Sequence, residues 1–372
     1  MKIPILDLKS QYLKIKNEID TSIQKVIDSA YFINGPAVQL FEKNLASYLD
    51  SKYVIGCANG TDALQIALMS LQLKPGDEVI VPAFTFAATA AVVAILNLVP
   101  IFVDVELENF NIKIDQIESV ITPRTKAIIP VHLFGQGVDM EPLMKIAKRH
   151  SLFVIEDNAQ ALGAKYYYSN GSSKYYGTIG DIGCTSFFPT KNLGCYGDGG
   201  AIFCQDKDLA QRIKMVTDHG QKVRYSHDII GCNSRLDSIQ AAILDVKLKY
   251  LTDYSKRRSE AAALYKELLA NVEEITLPSH SSWSDHLYHQ FTIRTKRREK
   301  LKKFLAERGI SSMIYYPYPL NRQRAFSSIA RMSHSLENSE ILSKEVLSLP
   351  MHSELTPQIQ EIVANGVKDF FQ

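Results

Sequence analysis

Apolar positions along this chain recur at two spacings. Between about residues 50 and 205, short apolar runs alternate with segments whose apolar residues return every three or four positions. Residues 78–81 (EVIV), 101–105 (IFVDV), 127–131 (AIIPV) and 152–155 (LFVI) read as strands. Residues 62–73 and 140–150 read as helices between them. This alternation predicts βαβ units around a largely parallel sheet. The most apolar stretch, residues 87–103, contains Thr89, Asn97 and Pro100 and runs into an acidic segment at Asp104 to Glu106. A membrane span needs about 20 apolar residues, so a buried helix followed by a strand is predicted instead.

After Gly231 the texture changes. Leu236, Ile239, Ile243 and Val246 mark one face of a long helix that is predicted to carry the chain out of the large domain. Residues 289–294 (HQFTIR) read as a strand. Leu301, Phe304 and Leu305 mark a helix ending at Gly309, a C-cap candidate, and two further helical patterns close the chain. The expected class is therefore α/β. A large domain is placed at 31–250 and a smaller α+β domain at 251–372, with an N-terminal segment, 1–30, packing near the small domain.

Composition narrows the function classes. The 372 residues are 46% hydrophobic and 22% charged, an ordinary globular balance. A formal net charge of +2 provides no overall field toward nucleic acid or an anionic membrane. The basic run 296–303 (KRREKLKK) adjoins Leu301, Phe304 and Leu305 and reads as a solvated helix face. The opening MKIPILDLKSQY lacks the basic segment and apolar core of a secretory signal. Five cysteines form no CxxC pair and no zinc spacing, which predicts reduced thiols and a cytoplasmic location. His132, His219, His227, His286, His289 and His352 are scattered, so no metal is expected and structural roles are assigned.

Three places carry candidate chemistry. Lys191 is the only charged residue in 182–197 (IGCTSFFPTKNLGCYG). A desolvated lysine has a lowered pKa and can form a Schiff base with an aldehyde; the alternative is a loop lysine without charged neighbours. Asp157 ends the strand 152–155 at the carboxyl edge, where open parallel sheets bind ligands. A carboxylate there can hold a protonated pyridine nitrogen, or simply cap a turn. Gly60 and Thr61 precede a helical pattern, whose free N–H groups and dipole suit a phosphate; ordinary helix caps look the same. The phosphate motifs GxxxxGK[ST] and GxGxxG are absent, as is G-x-S-x-G.

A series of short motifs runs the length of the chain. It comprises Asn34-Gly35-Pro36, Asn59-Gly60-Thr61-Asp62-Ala63-Leu64, Pro82-Ala83-Phe84-Thr85-Phe86 and His132-Leu133-Phe134-Gly135-Gln136. It continues through Glu156-Asp157-Asn158-Ala159-Gln160, Ser186-Phe187-Phe188-Pro189-Thr190-Lys191-Asn192-Leu193-Gly194 and Asp218-His219-Gly220. Asn233-Ser234-Arg235-Leu236-Asp237 and Leu349-Pro350-Met351-His352 complete it. In this order the series resembles the DegT/StrS family of nucleotide-sugar aminotransferases, PLP enzymes of the aspartate-aminotransferase-like fold type I.

The resemblance implies Lys191 as Schiff-base lysine and proton shuttle, Asp157 on the pyridine nitrogen and Gln160 near the phenolic oxygen. Phe86 would stack on the ring. Gly60, Thr61, the Asp62 backbone and Ser186 would hold the phosphate, joined by Asn233 from the partner of a homodimer. Arg235, also from the partner, would meet the anionic substrate, with Phe188, His219, Tyr225, Tyr315 and Tyr316 nearby. The implied reaction is ping-pong transamination between PLP and PMP forms, with L-glutamate as donor and a nucleotide-linked keto sugar as acceptor. Relatives that dehydrate with PMP carry histidine at the lysine, so Lys191 favours transamination. The 233–237 motif resembles enzymes that aminate C3, which implies a TDP-3-keto-6-deoxyhexose, with a UDP-3-keto-N-acetylhexosamine or its uronate as the other reading. Such activity serves deoxyamino-sugar and surface-glycan biosynthesis. Tyr315 and Asn321 stand where the family often has histidine, and Phe188 where it often has tyrosine. A regulator that kept the fold without the reaction is the remaining alternative.

Overall fold

The computed structural model describes residues 2–332 and 334–372. Its central feature is an eight-stranded sheet. The strands are β1 (Tyr53–Cys57), β2 (Glu78–Pro82), β3 (Val99–Val103), β4 (Thr125–Ile128), β5 (Phe153–Asp157), β6 (Ile182–Ser186) and β7 (Gly200–Cys204). They lie in the order β1-β7-β6-β5-β4-β2-β3, with the two-residue strand Arg331–Met332 at the far edge. Only β7 runs against the others, pairing antiparallel with both β1 and β6. Every residue of β2 and of β7 is buried. Helices on both faces exclude water there, so these strands read as continuous apolar runs rather than alternations. No described helix is long and apolar enough to cross a membrane.

The predicted strands and helices sit where the periodicity placed them, with shifted ends. The helix predicted at 62–73 is Gly60–Ser70, and that at 140–150 is Met140–His150. The stretch 87–103 divides into helix Ala88–Ile95 and β3, with Pro100 inside the strand.

The long helix expected from Leu236 onward is a correction. It is two helices, Ser238–Leu248 and Leu251–Leu269, and Leu236 precedes the first. Ser238–Leu248 packs against helix Pro36–Leu49, while Leu251–Leu269 contributes Ala261, Ala262, Tyr265 and Leu269 to a separate core. One straight helix could not serve both surfaces.

That second core contains Phe291 and Ile293 of β8 (Phe291–Arg294) and Leu347 and Leu349 of β9 (Val346–Leu349), which pair antiparallel. The apolar pattern did not single out β9. It directly follows helix Glu337–Glu345, and only its pairing with β8 makes it a strand. The first thirty residues divide their contacts. Ile3 bridges to Ile310 and joins the second core, whereas Ile15 and Ile19 pack on Ile243 and Val246.

Candidate active site

β5 delivers two adjacent carboxylates to opposite faces, because successive strand side chains alternate. Glu156 is fully buried. It accepts from the backbone N–H groups of Gly177, Ile179 and Gly180 at 2.8, 2.7 and 2.7 Å. The His132 imidazole lies 3.0 Å away. Since Val138 N–H donates to His132 Nδ1 at 3.2 Å, the other nitrogen, Nε2, carries the proton toward Glu156. This anion thus pins the turn that leads into β6. Glu156→Ala leaves four donors, two of them fully buried, without their acceptor and is expected to cost about 3 kcal/mol, measured by urea unfolding.

Asp157 faces the other way, into a cavity of ≈ 450 Å³. Thr89 Oγ1 donates to its Oδ2 at 2.9 Å, and the Ala159 N–H to its Oδ1 at 3.2 Å. Burial pushes its carboxyl above the usual range, while these bonds and the Lys191 charge pull it back.

Lys191 opens into the same cavity. The loop between β6 and β7 presents it, folded on itself by Lys191 N–H to Phe188 O and Cys195 N–H to Phe187 O, both 2.8 Å. Phe187 anchors the loop edge-on against Phe41. Beneath it the buried Lys247 ammonium donates to the Gly194 carbonyl. Lys191 keeps some exposure through the cavity, yet the protein around its amine lowers its pKa to about 8, with Asp157 opposing.

At one end of the cavity stands the start of helix Gly60–Ser70. The Gly60 and Thr61 N–H groups find no acceptor among the described residues, as the first turn of a helix dictates. A Cβ on Gly60 would lie 2.6 Å from Ser186 Cβ, so glycine lets the helix start sit directly on the end of β6. Ser186 Oγ accepts from Phe188 N–H at 3.2 Å, which leaves its own O–H to donate. The Asp62 backbone is a correction. Its N–H is already given to the capping side chain of Asn59 at 2.8 Å, so it is not free for a phosphate.

Phe86 and Phe188 line the cavity and are about half exposed, at 56% and 49%. Tyr315 and Tyr316 line it too. The Tyr316 hydroxyl accepts from Gln160 Nε2 at 3.1 Å, and Phe134 N–H donates to Gln160 Oε1 at 2.8 Å. Tyr316 therefore braces Gln160.

Besides Asp62, four sequence-predicted residues lie outside this cavity. His219, Tyr225 and Asn233 are exposed, and Arg235 pairs with Asp218 at 3.5 Å. Conversely, Thr89, Lys247, His289 and Gln290 belong to the site or its support and were not singled out as site residues. A polar residue inside the apolar helix ATAAVVAI was the available signal for Thr89. A lone lysine within SIQAAILDVKL gave a weaker one for Lys247.

A lysine of lowered pKa beside a buried carboxylate, with a free helix N-terminus at one end, is suited to an aromatic aldehyde phosphate. Comparison with known proteins agrees. The chain is 46% identical over 374 residues, covering 100% of itself and 99% of the relative, to a "pleiotropic regulatory protein" of Geobacillus stearothermophilus. It is 44% identical to a UDP-N-acetyl-3-dehydro-alpha-D-glucosamine 3-aminotransferase of Acidithiobacillus ferrooxidans, over 95% of this chain and 94% of that one. The solved structure of NtdA from Bacillus subtilis with bound cofactor PMP superposes with a TM-score of 0.90 at 34% identity, over 100% of this chain and 85% of that one. Residues 13–368 match a single family across nearly the whole length. The chain belongs to the DegT/DnrJ/EryC1/StrS aminotransferase family.

Proposed function

We propose that this protein is a PLP-dependent aminotransferase that moves the amino group of L-glutamate to C3 of a nucleotide-linked keto sugar, a TDP-3-keto-6-deoxyhexose. The observation that carries the reading is the opening of Lys191 and Asp157 into one cavity. A UDP-3-keto-N-acetylhexosamine or its uronate is the second reading, favoured by the Acidithiobacillus relative. The regulatory name of the Geobacillus relative motivates the non-catalytic alternative. Lys191 and Asp157 together argue against it.

The residues present fit PLP. Gly60 and Thr61 N–H groups and the Ser186 hydroxyl would hold its phosphate, Asp157 its pyridine nitrogen, Phe86 one ring face, and the Gln160 amide the edge beside the phenolic oxygen. When bound, the cofactor supplies an electron sink for charge on the carbon that bears the nitrogen. Asp157, steered by Thr89, would keep the pyridine nitrogen protonated. Lys191 would anchor the cofactor covalently and then serve as the general base and acid that carries one proton across the reacting face. Tyr316 holds Gln160 in place. Apolar surfaces of Phe86, Phe188 and Tyr315 limit water around the amine.

The exposed Asn233 and the half-buried Arg235 would serve the cavity of a second copy, with His219 and Tyr225 beside them. This makes the working unit a homodimer. Five free cysteines accord with a cytoplasmic setting.

Incubating the protein with PLP, isotope-labelled glutamate and a panel of TDP- and UDP-linked keto sugars tests the assignment. Label should appear in one amino-sugar product. If PLP is converted to PMP by glutamate but no keto sugar reverses it, the acceptor class is wrong; if glutamate does nothing, the aminotransferase reading fails. The pH dependence gives an independent check. The free amine is the nucleophile, so the rate of PLP uptake by apoprotein should rise as pH climbs through about 8 and fall below it. Stopped-flow absorbance measures that profile.

A further inference from the structure

The cavity wall contributed by the smaller core carries unused hydrogen-bonding capacity. His289 and Gln290 directly precede β8, line the cavity and are 5% and 6% exposed. Their backbone is held from behind. The buried guanidinium of Arg258 donates to the carbonyls of Tyr288, His289 and Met351 at 3.1, 3.4 and 3.1 Å. No acidic partner pairs with Arg258 among the described residues, so those carbonyls are what hold it.

The His289 ring is fixed from the side. Its Nδ1 lies 3.3 Å from Asn192 Oδ1, one residue beyond Lys191. With the Asn192 amide in this orientation its Oδ1 accepts from Nδ1–H, which leaves Nε2 as an acceptor. Burial and the charges of Lys191 and Arg258 keep the imidazole neutral. Gln290 makes no side-chain hydrogen bond among the described residues. The sealed orphan atoms of the structure lie elsewhere, at Asn158 Oδ1 and Asn192 Nδ2 for example. The free atoms of His289 and Gln290 are therefore accessible from the cavity. Asp157 is engaged with Thr89, and Gln160 with Phe134 and Tyr316, whereas Thr61, Thr190 and Asp198 elsewhere on the wall also make no side-chain hydrogen bond among the described residues.

We propose that His289 and Gln290 form a hydroxyl-reading pair that recognises the sugar of the acceptor substrate. An acceptor-only nitrogen beside an amide that donates and accepts matches a sugar hydroxyl, which does both. A carboxylate has no proton to give His289 Nε2, so the pair disfavours the carboxylate of the amino donor. This inference rests on the sugar-aminotransferase reading and assigns the acceptor side of that site.

The test uses the PLP-loaded protein and its Gln290→Ala and His289→Phe variants. Titration calorimetry compares UDP-N-acetylglucosamine and TDP-glucose, as non-reacting probes, with UDP and TDP alone. Loss of one hydrogen bond should weaken whichever nucleotide sugar binds wild type by about tenfold. Binding of the bare nucleoside diphosphate should stay within about twofold, and any change in the glutamate half-reaction, followed by cofactor absorbance, should be smaller than the loss of nucleotide-sugar binding. Unchanged nucleotide-sugar binding in the variants would overturn the assignment. An equal loss for sugar-bearing and bare nucleotides, or a loss confined to the glutamate half-reaction, would do the same. Gln290→Ala breaks no side-chain hydrogen bond among the described residues, so it remains informative if His289→Phe fails to fold. Failure of the wild type itself to react with glutamate strikes the aminotransferase reading instead, which keeps the two outcomes separate.

Discussion

Replacing Lys191 with alanine is expected to reduce transamination by ~10⁴-fold or more, because two functions vanish with one amine. The first is the covalent hold on the cofactor's aldehyde, which burial favours by keeping more of the amine unprotonated near neutral pH. The second is proton transfer across the reacting face. Lys191→Ala should bind PLP noncovalently through the phosphate and pyridine contacts, and the absorbance band of the wild-type linkage should be missing. Borohydride reduction of wild type should fix the cofactor's mass on the peptide that contains Lys191 and on no other. Lys191→Arg should be equally inactive, since a guanidinium stays charged and cannot form the link. A variant that retained the wild-type band would remove Lys191 from the mechanism. Lys247 is the informative control. It is also buried, with its pKa lowered to about 8, but it is spent on the Gly194 carbonyl and is not among the cavity-lining residues.

Asp157→Asn should separate chemistry from folding. The side chain keeps its shape and can still accept from Ala159, but a neutral amide cannot hold the pyridine nitrogen in its protonated form. Turnover should fall by about 10²–10³-fold, the usual scale for losing one preorganised electrostatic contact. Stability of the apoprotein should move the other way. Desolvation raises the Asp157 carboxyl in the folded state above its unfolded value of 3.8. The folded protein therefore holds that proton more tightly, and loses stability as pH rises from the unfolded pKa through the folded one. At neutral pH the charged carboxylate is a cost that asparagine removes. Urea unfolding of the two apoproteins should show the variant at least as stable as wild type. Lower stability would mean that Asp157 is a structural rather than a chemical residue.

Much of the architecture was written in local patterns. The runs at 78–81 and 152–155 are strands because an apolar run of that length, flanked by helices, can be buried on both faces. Lys191 stood out because the fifteen other residues of 182–197 hold no charge, and a chain rarely leaves a cation in such surroundings without a use for it. Asp157 was visible as an acid at the end of an apolar strand. Thr89 was harder to see, since its partner lies 68 positions away. Asp62 shows the converse limit. The motif suggested a free N–H, but the neighbouring Asn59 side chain folds back and takes it.

What the sequence alone determined here is the set of buried faces, the strand–helix alternation, one amine with no charged neighbour and one acid at the end of an apolar strand. Those follow from spacing and hydrophobicity, which are properties of short segments. Only the folded chain decided which groups share a space: Thr89 against Asp157, Tyr316 behind Gln160, His289 beside the Lys191 loop. It also split the helix after Leu248 so that its halves could serve two cores, and paired β9 with β8. Contacts of that kind join residues tens to hundreds of positions apart, and packing geometry selects them, with no trace in the periodicity of either partner.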